Sequence, residues 1–186
     1  MNFLPTTEGT DASAPAYERA FATRPEVYAA WRGLAGTILA GMDARLYEVA
    51  TLGAARALRS TYCSLVHGAV LLERHLDEQA LLGLVDAADT GVVAEAVERD
   101  EAVAAFAARV ARSGPDLAQA DIDALLAHGL SEQEVLDVVL AAAARCFFST
   151  VLDATGTLAD AGLAERLGPG LTAALASGRS PRRPGS

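Results

Sequence analysis

The residues best placed to do chemistry lie in the stretch Ser60-Thr61-Tyr62-Cys63-Ser64-Leu65-Val66-His67, with Glu48 twelve residues before position 60. Serine is among the best residues at a helix N-cap, so Ser60 is expected to open a helix whose third residue is Cys63. Backbone N–H groups without intrahelical partners and the helix dipole favour negative charge there, and a negatively charged cysteine is the nucleophilic thiolate. His67 follows four residues later, one turn along the same face, within reach to exchange the thiol proton. Taken singly, each residue has a plainer reading. A lone cysteine is more often a small buried hydrophobe, and a lone histidine a satisfied helix residue.

Two helices must hold these side chains. Asp43 is a good N-cap for a helix over about 44–58, with apolar positions Leu46, Val49, Ala50, Leu52 and Ala57. The helix from Ser60 follows after a very short turn, so the two are expected to pack as an antiparallel pair. At roughly 1.5 Å per residue, Glu48 lies about 16 Å from the turn, His67 about 10 Å and Cys63 about 5 Å. That places Glu48 at the level of His67 and leaves it to reach the thiol through His67 or a water.

At these residues the chain resembles the carboxymuconolactone decarboxylase / alkylhydroperoxidase D superfamily. Alkylhydroperoxidase D proteins have a glutamate twelve residues before a C-x-x-C followed by x-x-x-H, and Glu48, position 60, Cys63 and His67 fall at those spacings. Ser60 stands where the pattern has its first cysteine. A weaker resemblance extends over about residues 24–160. It implies an all-α, AhpD-like helical bundle and a thiol peroxidase with peroxiredoxin-type activity. In that reading Cys63 is the peroxidatic thiol, His67 and Glu48 relay protons, and Ser60 is an inert substitute. No cofactor is implied, and the partners are a small hydroperoxide and an external thiol reductant or reductase. The resemblance also implies a homo-oligomer. Two alternatives remain open: a decarboxylase-like enzyme acting on a small lactone acid, or a catalytically silent scaffold.

The remaining sequence sets bounds. Ala and Leu dominate over β-branched and aromatic residues, which favours helix over strand. A net charge of −9, with all 15 basic residues arginine, argues against a nucleic-acid partner. Without lysine there is no Schiff-base chemistry on a lysine side chain. Cys63 and Cys146 alone make no disulfide framework, and the first residues lack the pattern of a secretory signal, so a cytoplasmic protein is expected. The longest apolar stretch, Val135 to Leu152, carries Asp137 and Arg145, which argues for a buried core helix and against a membrane span. A buried Arg145 must then find a carboxylate, a carbonyl or a subunit boundary. His75 and His128, far apart, give no metal-site signal.

The expected organisation is a loose arm over 1–14, one helical domain over 15–176, and a Pro/Gly/Arg tail over 177–186 that does not pack. Pro25 opens a helix through Val27, Trp31, Leu34 and Ile38. Segments around 78–87 and 92–112 read as helices, Gly114-Pro115 as a break, and about 118–127 as a short helix. Ser131 and Glu134 form a capping box that opens the long apolar helix ended by Gly156.

Overall fold

A computed structural model of the chain describes Phe3 and residues 14–93 and 96–181. Most of the expected arm, and residues 182–186 of the expected tail, lie outside the described residues. Among those described there are nine α-helices and no strand: α1 (Ala16–Arg19), α2 (Pro25–Gly41), α3 (Ala44–Ala57), α4 (Thr61–Arg74), α5 (Glu78–Thr90), α6 (Arg99–Ser113), α7 (Gln119–Ala127), α8 (Glu132–Ala154) and α9 (Ala161–Leu175).

Local chemistry sets most of the helix ends. Asp43 accepts from the Leu46 N–H at 2.9 Å and Asp77 from the Ala80 N–H at 2.8 Å, opening α3 and α5. Ser131 and Glu134 form the expected reciprocal box at the start of α8, the Ser131 N–H donating to Glu134 at 2.8 Å and the Glu134 N–H to Ser131 at 3.2 Å. The helix expected over 92–112 begins only at Arg99. Gly91, left-handed at φ 67°, ends α5, and the N–H groups of Val97 and Glu98 donate to the Glu101 carboxylate, which fixes the later start. The signals for regular helix stop at Gly156, yet α9 spans Ala161–Leu175. Its period is disguised by Gly168-Pro169-Gly170, where Gly168 leaves the helical region at φ 73° and ψ 168°.

The bundle is built around α3, whose residues from Thr51 to Ala55 are all fully buried. Its closest neighbour is α6. A Cβ at Gly53 would fall 2.3 Å from the Ala104 carbonyl oxygen, so the two backbones nearly touch. The run Ala102 to Ala108 on α6 is buried on every side, since α3, α5 and α8 all pack against that helix. α8 is long and apolar enough to cross a membrane by length and composition. In the bundle it packs on α2, α3 and α6 while leaving Leu136, Leu140 and Phe147 exposed.

The turn between α3 and α4 fixes the site. The Ser60 N–H donates to the Ala55 carbonyl and the Arg59 N–H to the Arg56 carbonyl, the paired bonds of a Schellman ending, with Arg59 at φ 57°. The chain after α9 supports this turn: Gly178 donates to Thr61 Oγ1 at 3.0 Å, and Arg59 Nε donates to the Ser177 carbonyl. Residues 177–179 therefore pack, unlike the loose tail expected from position 177. Arg179 also donates to the Asp153 carbonyl and sits over the Phe3 ring.

Candidate active site

The two helices joined by this turn bring Glu48 to His67. Nδ1 of His67 lies 2.6 Å from Oε2 of Glu48, and both side chains are largely buried. A carboxylate can only accept, so Nδ1 carries the proton and Nε2 holds the free lone pair. Burial, followed by the positive charge of Arg145, lowers the His67 pKa below its ordinary value, with Glu48 pulling the other way. The ring is therefore neutral near pH 7 and able to accept a proton.

Cys63 is 2% exposed, one turn earlier on α4. Its side chain accepts from Arg145, whose Nη1 donates to Sγ at 3.7 Å, and no side-chain hydrogen bond joins it to His67. The expected direct exchange between thiol and imidazole gives way to an arrangement in which both face one cavity. That cavity, about 310 Å³, has Cys63, Val66 and His67 on one side and Arg145 and Phe148 from α8 on another. The rings of Tyr17, Tyr28, Trp31 and Tyr62 and the Arg32 side chain complete it.

Buried in α8, Arg145 needs a carboxylate, a carbonyl or a subunit boundary to balance its charge. It finds neither carboxylate nor carbonyl among the described residues: its guanidinium lies 5.5 Å from the Phe148 ring centroid and 5.9 Å from that of Trp31, and donates to Cys63. Trp31 and Phe148 stack at 4.0 Å, clamping the wall beside it. The signal for Arg145 was its place in an otherwise apolar helix. The signal for Tyr28, Trp31 and Arg32 was their i, i+3, i+4 spacing on α2, which reads equally well as a core stripe.

Ser60 occupies the N-cap position with extended backbone but makes no side-chain cap bond, contrary to the expectation for it. Its hydroxyl is fully buried, outside the cavity lining. It faces Asp153, whose carboxyl burial pushes above the usual range while the Ser60 hydroxyl pulls the other way. Cys146 follows Arg145 in sequence but does not line the cavity, and burial raises its thiol pKa. His75 and His128 sit at the C-terminal ends of α4 and α7.

No protein-family model matches the chain, and no curated protein matches it in sequence. Solved structures do. One is the crystal structure of an alkylhydroperoxidase AhpD core, an uncharacterized peroxidase-related protein from Ralstonia eutropha JMP134. It has a TM-score of 0.71 and 18% identity over 87% of this chain and 94% of that one. Another, an uncharacterized peroxidase-related protein from Silicibacter sp. TM1040, gives a TM-score of 0.64 and 20% identity over 77% and 75% of the two chains. At such identities the likeness speaks to architecture alone, and it agrees with the helical bundle described above: the chain has the all-α fold of the AhpD core.

Proposed function

We propose that the protein is a one-cysteine thiol peroxidase that reduces hydroperoxides at Cys63. The observation that carries this reading is the Arg145–Cys63 contact at 3.7 Å inside a cavity shared with the His67–Glu48 pair. A cation aimed at sulfur on the first turn of a helix is the setting in which a cysteine attacks as its thiolate. His67 Nε2 takes the thiol proton across the cavity. The sulfur then attacks the terminal peroxide oxygen, the O–O bond breaks, and the proton returns to the departing alkoxide. Cys63 becomes a sulfenic acid and the hydroperoxide an alcohol. Glu48 keeps the imidazole in the tautomer that this transfer needs.

The fold shared with peroxidase-related proteins supports the reading. Ser60 supplies no second thiol, and Cys146 lies away from the cavity, so reduction of the sulfenic acid falls to an outside thiol. Two molecules of a small thiol return Cys63 to its reduced form and leave as a disulfide with one water. Steady-state peroxide consumption with dithiothreitol tests this on the full chain. Wild type is expected to turn over and Cys63→Ser to be inactive. Equal consumption by the two would remove Cys63 from the chemistry and favour the reading in which His67 and Glu48 act on a lactone acid.

A further inference from the structure

The cavity is much larger than hydrogen peroxide requires, and its charge is of one sign. Its charged lining residues are Arg32 and Arg145, although the whole chain carries −9. The neighbouring carboxylates are held one layer back. Glu48 is bound to His67, Asp160 accepts from the Tyr62 hydroxyl at 2.8 Å, and Glu18 accepts from the Tyr28 hydroxyl at 3.4 Å. Burial, reinforced by Tyr17 and Glu18, pushes the Tyr28 phenol up to about 12, and burial followed by Asp160 raises that of Tyr62, so these walls stay neutral.

Two N–H donors beside the cavity lack acceptors: Nε of Arg145, a residue 5% exposed, and Nε1 of Trp31. A desolvated guanidinium with no carboxylate partner is a costly arrangement that an acceptor-rich ligand relieves. At the other end Arg32 is exposed, lies 5.8 Å from the Tyr28 ring centroid and makes no ion pair among the described residues. The cavity thus runs from a buried end at Cys63 and Arg145, past aromatic faces, to an exposed guanidinium.

Building on the peroxidase reading, we infer that the substrate is an organic hydroperoxide with an aromatic or compact apolar body and a carboxylate remote from the peroxide. Its peroxide reaches Cys63 and Arg145, its body lies against Tyr28, Trp31 and Phe148, and its carboxylate pairs with Arg32. The products are the corresponding hydroxy acid and the Cys63 sulfenic acid, which two equivalents of external thiol reduce.

Trp31 is the only tryptophan in the chain, so its fluorescence reports occupancy of the cavity directly. In Cys63→Ser protein, which cannot react, phenylacetate is expected to bind at least ten times more tightly than phenylacetamide. In wild type, 4-carboxycumene hydroperoxide is expected to oxidise Cys63 at least ten times faster than cumene hydroperoxide, a ratio that Arg32→Gln brings close to one. Equal binding of acid and amide, or equal rates for the two hydroperoxides, would overturn the inference while leaving the peroxidase reading intact. If neither hydroperoxide oxidises Cys63, the peroxidase reading itself falls and the substrate assignment with it; phenylacetate binding would then show a cationic cavity without that chemistry.

Discussion

At the scale of single residues, the site divides into what spacing reveals and what only packing reveals. Glu48, Cys63 and His67 were legible because helical geometry converts sequence distance into position on two adjacent turns. Arg145 was not, because it arrives on α8, eighty-two residues after Cys63, and no local pattern encodes that meeting. Its role separates cleanly from stability. Arg145→Leu removes a buried cation that no carboxylate balances, so the melting temperature is expected to hold or rise. The rate of Cys63 oxidation by peroxide should nonetheless fall at least tenfold, measured by mass spectrometry under limiting peroxide. Ser60 gives a second test. With no thiol one turn away, excess peroxide should carry wild-type Cys63 on to sulfinic acid, whereas Ser60→Cys should protect it by forming a disulfide. Because the Ser60 hydroxyl makes no cap bond, its replacement is not expected to carry the ~1 kcal/mol of a lost N-cap and gives up only the contact with Asp153. Chemical denaturation of the two variants checks this.

Among the helices, those with strong end signals were readable and those with irregular ones were not. Asp43, Asp77 and Ser131 each bind a backbone N–H two or three residues into the helix they open, so α3, α5 and α8 start where their caps stand. The late start of α6 depends on a carboxylate, Glu101, turning back to the chain, and α9 survives a Gly-Pro-Gly interruption because Leu167, Leu171 and Leu175 are buried on both sides of it. Leu175 covers Gly68 on the Cys63 helix, while Arg56 donates to the carbonyls of Ala174 and Leu175 and pairs with Asp89. The end of α9 is therefore tied to the scaffold of the site. The closest helix approach is the most exacting. Gly53→Ala would drive a methyl group into the Ala104 carbonyl, backbone against backbone, and should destabilise the fold by about 1–3 kcal/mol or more. Denaturant titration is the measurement, and a loss under 0.5 kcal/mol would mean that α3 and α6 slide apart freely.

Across the whole molecule, the buried imidazole links the site to global stability through pH. The groups acting on His67 are Glu48, which favours the protonated ring, and Arg145, which together with burial opposes it; the net effect is a pKa below the ordinary value. In the unfolded chain this histidine titrates near 6.5. Between its folded and unfolded pKa values the unfolded state binds more protons, so stability falls as pH drops through about 6.5 and levels off only below the folded value. Above that window both states are neutral and the group contributes no pH dependence. The loss is therefore to be read over the interval from about pH 7.5 down through the unfolded value of about 6.5. Asp153 works in the opposite direction, since a carboxyl raised by burial adds stability as pH falls through its folded pKa. Comparing wild type with His67→Gln cancels that contribution, because Asp153 is the same in both. Gln retains an N–H for Glu48 and does not titrate, so its denaturation free energy should decline less than that of wild type over this interval. Parallel curves for the two proteins would mean that His67 takes up a proton as readily folded as unfolded, so that burial and Arg145 do not hold the imidazole neutral below its ordinary range.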